Sequence, residues 1–578
     1  MKLTEIRIDN FRSIKECHLF LNEVTAVIGE NNAGKTALLR ALNSVFNWEY
    51  EQAYFLNNAH QYAVRTTTKI VLIFEYVPDK EIYAGKLWGD KLNLIFKYAY
   101  GTTTRKRSLS CQTATGAISV DDDFLTELKK DIDYVYIPAS RSNRDLTWTE
   151  NSIFQRVLTA YSQYHTQLRD NVSAQVTRVA EKLKNNIFSK IEHELALSSL
   201  LDSDERYEFD YADIIDYSLF LNKVGINIVD GSSSFPVTEY GSGIKSLSVI
   251  ALYRTLAKLN KVNVILGIEE PETNLHPHAQ KKLIASIQHN RQDSEIQAVF
   301  ATHSTVIVDE LNHENIILAR RIPDSRRGFH TEFSQLESDF WDKYNLDEYK
   351  HNRFFRYKNS DFFFAKYVIV VESSTDAQVV SELLRDLVRE KMFFVSILNL
   401  DGIKNLKYPY YLLKSLKIPF SMVVDKDFLT QYKNDKLSNS RSATTYLPEY
   451  KNDANQHNPV INSIWDSEAK RSGLSDKLKQ SYSKLFEYCA VYKLYPMQYC
   501  LEMDLVASAE GRAEYCRLMG ILNNDNAYKV LLVDRCEAIK EPDKVLQVLG
   551  TLAPAKYPYS YKKIRKIMYN NLRKLKIA

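Results

Sequence analysis

"AVIGENNAGKTALLRAL", Ala26 to Leu42, runs from a short apolar strand pattern into Gly29, then Gly34-Lys35-Thr36, then the spacing of a helix. This is the full G-x-x-x-x-G-K-T pattern in the strand-to-helix context that gives it meaning. A glycine-rich turn lets main-chain N–H groups wrap phosphate oxygens at a helix N-terminus. The residues placed to do so are Gly29, Asn32, Gly34, Lys35, Thr36 and Ala37. Lys35 would reach the β/γ-phosphates of ATP, and the Thr36 hydroxyl would hold Mg²⁺. The stretch implies nucleotide binding, and a mainly parallel α/β fold around it.

The chain has 578 residues, room for two to four domains, and a formal net charge of +4. Near-neutrality means that any nucleic-acid surface is local. Six cysteines occur without a C-x-x-C pair, which argues against a zinc site or a disulfide framework and favours a reducing interior. The opening "MKLTEIRIDNFRSI" alternates like a strand, and no apolar run approaches a membrane span, so a cytoplasmic protein without membrane contact is expected.

Downstream, "KIVLIFEYV" (Lys69–Val77) and "LNLIFKYAY" (Leu92–Tyr100) read as an antiparallel addition. Helical spacing follows over about 150–205, broken by the acidic stretch "SSLLDSDERYEFDYAD". A second α/β block holds "NVILGIEEPETNLHPHAQ", whose apolar strand ends in Glu269 and Glu270. Carboxylates beside a P-loop can hold the Mg²⁺ shell (Glu269) and activate the attacking water (Glu270). "VFATHS" places His303 at another strand end, where it could sense the γ-phosphate. "YGSGIKS" supplies Gly241, Ser242 and Gly243 before a helix whose positive end could face phosphate. Arg141 and Arg144 in "YIPASRSNR" are open to nucleotide or DNA contact, or to simple solvation. "PDSRRGFH" and the aromatic, charged stretch to about Lys358 read as a linker.

A second constellation begins at "KYVIVVESSTDAQVV". An apolar strand pattern ends in Glu372, and Asp376 falls in the first turn of a helix. "IPFSMVVDKDFL" repeats the design with Asp425 and Asp427, where strand alternation would put both carboxylates on one side. "YCLEMDLV" brings Glu502 and Asp504 with the same spacing. Carboxylates crowded at adjacent strand ends repel unless a divalent cation neutralises them; Mg²⁺ or Mn²⁺ suits such hard oxygen ligands and in-line phosphodiester cleavage. The tail "YKKIRKIMYNNLRKLKIA" holds seven basic residues and no acid, with Ile564, Ile567, Leu572 and Leu575 spaced for one helix face; it suits phosphate-backbone binding or plain solvation.

The P-loop, "YGSGIKS", "IEEPETNLHP" and "VFATHS", in that order, resemble the ATP-binding-cassette ATPases of the recombination and SMC type. The resemblance implies ATP held between two heads, hence a homodimer or homotetramer, with the helical segment as a local dimerisation insert. Glu-x-x-x-Asp followed by Asp-x-Asp, with Gly402 in "LNLDGIKNL", resembles a Toprim domain; Ser373 stands where that family has Gly. The two together resemble the OLD (overcoming lysogenization defect) nucleases, whose relatives include effectors of the Gabija and retron antiphage systems. That implies an ATP-regulated, metal-dependent DNA endonuclease or nickase beside a helicase or a reverse transcriptase with its RNA–DNA product (msDNA). It also implies a catalytic C-terminal lysine, for which Lys540, Lys544, Lys562 and Lys563 offer themselves and Lys544 is preferred. A repair-type DNA-binding ATPase whose Toprim domain does not cut stays open. The expected organisation is an ABC-type ATPase over 1–345, a linker over 346–364 and a Toprim α/β nuclease domain over 365–578.

Overall fold

The computed structural model describes residues 1–64, 66–101, 105–141, 143–147, 152–197, 208, 224–230, 232–260, 263–289, 296–325, 328–356 and 358–577. The acidic stretch after Leu197 lies, apart from Glu208, outside the described residues, as does the Arg144 side chain. The chain divides into two units, Met1–Glu310 with Ala319–Phe333, and Leu311–Leu318 with Ser334–Ala578.

The first unit is built on a twelve-stranded sheet whose two halves do different work. In one half Val24–Ile28, Ile296–Thr302, Asn263–Glu269 and Ile132–Ile137 lie side by side, all parallel. Their near-continuous Val, Ile, Leu and Phe content is what a strand covered on both faces requires. In the other half Lys2–Phe11, Thr67–Glu75, Leu92–Tyr100, Arg105–Thr113 and Gly116–Val120 form an antiparallel run, as their alternating patterns suggest. Between the halves stand Ile14–Phe20, antiparallel to Lys2–Phe11, then Gly328–Ser334 and Ile316–Asp324. This corrects the linker reading of "PDSRRGFH": Pro323 and Asp324 end one strand of the sheet, and Gly328, Phe329 and His330 begin the next.

The helical segment is present as Ile153–Tyr164, Thr166–Leu183 and Ser189–Leu197, with a π-helical turn at Lys184–Phe188. Leu168, Val179, Leu183, Ile187 and Ile191 stay exposed along it. Residues 346–364, read as a linker, are folded: the helix Glu348–Phe355 and the turn Ser360–Phe363 bury His351, Phe355, Phe362 and Phe363.

The second unit carries a four-stranded parallel sheet in the order Val395–Asn399, Tyr367–Val371, Phe420–Val424, Leu494–Pro496. The helix Ser374–Val388 packs against Pro542–Thr551 and the C-terminal helix Tyr559–Lys574. Ile564, Met568 and Leu572 are buried in that packing, with Ile567 and Leu575 beside them, so the apolar face of the basic tail is spent on the core. Among the described residues no helix is long and apolar enough to cross a membrane.

Candidate functional site

Four parallel strands of the first unit end on one side of the sheet, and the loops that leave them gather the nucleotide-site residues. Gly29 leaves the first at φ +146°, and a Cβ there would meet the Ala319 carbonyl oxygen at 2.2 Å. Gly34 caps the helix Lys35–Phe46 at φ +97°, where a Cβ would fall 2.1 Å from Thr331 Oγ1. Only glycine satisfies both positions. Asn32 sits at φ +60°, a region that asparagine tolerates better than most residues. The buried Lys35 ammonium folds back onto its own loop and donates to the carbonyls of Gly29 (2.8 Å) and Glu30 (2.9 Å). Burial lowers its pKa, against the attraction of nearby Glu270 and Glu272. Thr36 and Ala37 occupy the first turn, with Ala37 N–H bonded to Gly34 O at 3.0 Å.

Glu269 ends its strand, and Glu270 follows at φ +40°, an uncommon conformation for a side-chain-bearing residue, with its N–H on Ala301 O at 2.8 Å. Backbone strain of this kind gathers at functional sites. Glu272 Oε1 accepts the His303 N–H at 2.9 Å and lies 3.2 Å from His303 Nδ1; the other oxygen is buried with no hydrogen-bond partner. Arg141 Nη2 donates to Glu269 O at 2.6 Å, and Glu272, Glu269 and Glu270 act on its charge. Sequence reading left Arg141 open and did not single out Glu272. Only the register of the strands reveals them. Gly243 stands where a Cβ would meet Asn274 O at 2.5 Å, so its turn packs on the loop that follows Glu272; Gly241 faces open space, and Ser242 begins the helix Ser242–Asn260.

In the second unit the acids again follow parallel strand ends. Glu372 follows Tyr367–Val371, and Ser373 caps the next helix: its N–H donates to Asp376 Oδ2 (2.9 Å), and its hydroxyl accepts Asp376 N–H (3.2 Å). This reciprocal capping pair accounts for serine at that position and leaves one Asp376 oxygen over. The strand Phe420–Val424 ends before Asp425, which caps a one-turn helix carrying Asp427. The two carboxylates are therefore brought together by a helical turn, not by strand alternation.

Charge and burial define the cluster. Asp425 is pushed well above the ordinary carboxylate range by burial and then by Asp376, Glu372, Asp427 and Glu502. Burial, with Asp427 and Asp376 beside it, raises Glu372 to about 7. Burial and Glu502 raise Asp376 to about 6. Asp427 is raised by burial and accepts the Tyr432 hydroxyl at 3.1 Å. Five carboxylates thus share one neighbourhood, and Glu372 Oε2 is buried without a partner. A divalent cation fits this set: hard oxygen donors, surplus negative charge and an unsatisfied oxygen. Among the described residues no group of three or more His, Cys, Asp or Glu side chains is arranged to hold a metal ion as it stands.

Two expected members are engaged with other partners. Asp504 accepts the N–H groups of Gln498 (2.9 Å) and Tyr499 (2.8 Å), so both its oxygens serve the turn that leads into its helix. Glu502 and Asp504 lie on the helix Leu501–Ala507, where a spacing of two residues turns side chains about 200° apart. The spacing that aligns carboxylates on a strand separates them here. Lys544 pairs with Glu541 at 2.8 Å, one helical turn away.

Residues 1–137 and 125–308 match the AAA ATPase domain family, and residues 363–427 match the overcoming lysogenization defect protein-like TOPRIM domain. The chain is 23% identical over 450 residues to an OLD nuclease of Thermus scotoductus, covering 74% of this chain and 82% of that one. It is 22% identical over 295 residues to endonuclease GajA of Bacillus cereus, covering 46% and 42% respectively. Among solved structures it is similar to an SMC head bound to the C-winged helix domain of ScpA, at 14% identity and a TM-score of 0.39, covering 58% of this chain and 99% of that one. The chain belongs to the AAA ATPase domain family and continues into an OLD-like TOPRIM domain, the pairing that makes it a homologue of the OLD and GajA nucleases.

Proposed function

We propose that this chain is an ATP-regulated, divalent-metal-dependent DNA endonuclease or nickase. The observation that carries the reading is the cluster of Glu372, Asp376, Asp425, Asp427 and Glu502 at the C-terminal side of a parallel sheet, where each acid raises its neighbours' proton affinity. A module that only binds DNA gains nothing from such a cluster, which repels phosphate. Mg²⁺ or Mn²⁺ would be held by Glu372, Asp425 and Asp427, with Asp376 and Glu502 supporting, and would supply charge neutralisation at the scissile phosphate and an acidified water. The protein's own part is to gather these carboxylates and aim them at the phosphodiester, where a bound cation would displace the protons that burial and mutual repulsion favour.

In the ATPase unit, Lys35 exchanges the carbonyls of Gly29 and Glu30 for phosphate oxygens. Glu269 and Thr36 would hold the Mg²⁺ of ATP, Glu270 would orient the attacking water, and His303 would meet the γ-phosphate. The turn at Gly241–Gly243 completes the site of a second head, so the working form is a homodimer, or a homotetramer through the exposed apolar face of the helical insert. The resemblance extends the proposal to an antiphage effector acting beside a helicase or a reverse transcriptase.

The test is a supercoiled-plasmid assay of the purified chain in Mg²⁺, Mn²⁺ or EDTA, with and without ATP. Nicked or linear product that EDTA abolishes supports the reading. DNA retention without cleavage under every condition supports the binding-ATPase alternative instead.

A further inference from the structure

The carboxylate cluster uses one end of the second unit's sheet; the other end holds a cavity of about 490 Å³. Tyr367 and Phe420 are the first residues of their strands, and Lys493 immediately precedes Leu494–Pro496, so the cavity opens at the N-terminal ends of three parallel strands. Five-residue strands put it roughly 15 Å from the acids. Its size falls within the range of about 300–1,000 Å³ typical of small-molecule sites.

Its chemistry is the reverse of the acidic end. Lys414, Lys417, Lys493 and Lys574 line it, and among the described residues no carboxylate does. Asp466, which acts on Lys414, is itself held by Lys470 at 2.7 Å. The walls between the lysines are aromatic, with Tyr410 and Phe420 buried and the Tyr492 ring partly open. The floor is ordered: the Asn571 amide donates to the Tyr367 hydroxyl at 2.9 Å, and that hydroxyl also bonds Ser421.

Two of the lysines occupy costly positions. Lys417 (φ +54°) and Lys493 (φ +65°) sit in the left-handed region just past helices that end at Ser415 and Ala490. Glycine or asparagine is the usual residue there. The partial negative charge of a helix end favours one lysine at each. It does not explain why four lysines from three segments of the chain face one aromatic-walled cavity.

We propose that this cavity binds a nucleoside phosphate, with the lysines on the phosphate and Tyr492 against the base. The shared chemistry is a phosphate ester beside a purine or pyrimidine, free or at the end of a nucleic-acid strand. The proposal does not rest on the nuclease reading, since none of the acids takes part.

The test uses the full chain carrying Lys35→Ala, which silences the head site, titrated in EDTA with a deoxynucleoside monophosphate, with a short 5′-phosphorylated oligonucleotide, and with inorganic phosphate. We expect saturable binding of about one equivalent of monophosphate or strand end per chain. Lys414→Glu with Lys493→Glu should weaken it at least tenfold, whereas Lys556→Glu, outside the cavity, should leave it unchanged. Tyr492→Ala should weaken the nucleotide but not inorganic phosphate. Preference for the oligonucleotide over the monophosphate names a strand end as the source, and the reverse names a free nucleotide. No binding at millimolar ligand, equal affinity for inorganic phosphate and nucleotide, or indifference to the paired reversal overturns the proposal.

Discussion

Glu272 Oε1 accepts the main-chain N–H of His303 at 2.9 Å and lies 3.2 Å from the same residue's Nδ1. One carboxylate thereby fixes both the position and the ring orientation of the histidine proposed to meet the γ-phosphate. With Nδ1 turned toward Glu272, Nε2 is the ring nitrogen left to face the phosphate. Glu272→Gln should keep ATP binding and lower turnover about tenfold, near 1.4 kcal/mol of transition-state stabilisation. Steady-state ATPase assays check this; unchanged turnover would remove Glu272 from the site.

Lys35 is the cation that the P-loop holds ready, bonded to the carbonyls of Gly29 and Glu30. Lys35→Ala should cut ATP turnover by about 100-fold or more, roughly 3 kcal/mol. Glu270→Gln should bind ATP but hydrolyse it slowly, and so accumulate as the dimer by light scattering. A Glu270→Gln protein that fails to bind nucleotide would reverse the roles given to Glu269 and Glu270.

The second unit's acids make a prediction about pH. Their proton affinity is raised in the native state, to about 7 for Glu372 and about 6 for Asp376. The native state therefore holds protons that the unfolded chain has released. The stability they contribute is full below ordinary carboxylate values and is lost as pH rises toward 7. Divalent metal replaces those protons. The rise in melting temperature caused by Mn²⁺ should thus be larger at pH 8 than at pH 6, and cleavage should climb across the same interval. A metal shift independent of pH would show that the cation binds elsewhere.

His313 and His351 titrate in the opposite sense. Their rings, Nδ1 to Nε2 at 2.9 Å, are buried among Phe355, Phe363 and Trp341. Burial drives His313 down to about 3 and His351 well below its usual value. Below about pH 6.5 the unfolded chain takes up protons that the native rings refuse, at a cost of up to roughly 1.4 kcal/mol per pH unit for each ring. The acids contribute equally to wild type and to a His313→Phe, His351→Leu variant, so in denaturant melts the variant should gain stability relative to wild type progressively from pH 6.5 to 4.5. An identical slope in the double variant would assign the acid sensitivity to other groups.

What could be read from the residues alone was what local geometry decides. The glycines at 29 and 34, the strand ending in Glu372 and the Asp425-x-Asp427 pair each carry their structural demand within a few positions. Arg141 and Glu272 were not legible, because strands far apart in the chain bring them together. Asp504 misled because a spacing of two means one face on a strand and nearly opposite faces on a helix. The strands Ile316–Asp324 and Gly328–Ser334 were missed because the polar run "PDSRRG" at which they meet has the composition of a linker. Lys544 had no local signature to distinguish it from its neighbours, and it sits in an ion pair with Glu541.

The central claim is that the acidic cluster cuts DNA independently of the chemistry at the P-loop. Asp425→Asn tests it most directly: the side chain keeps its shape and loses the charge that four neighbouring carboxylates surround. Wild type and variant are compared on supercoiled plasmid in Mn²⁺, with ATP turnover measured on the same preparations. The account predicts cleavage reduced about a thousandfold, near 4 kcal/mol, with ATP turnover close to wild type and the fold at least as stable. Cleavage that survives Asp425→Asn, or ATP turnover that collapses with it, would contradict the account.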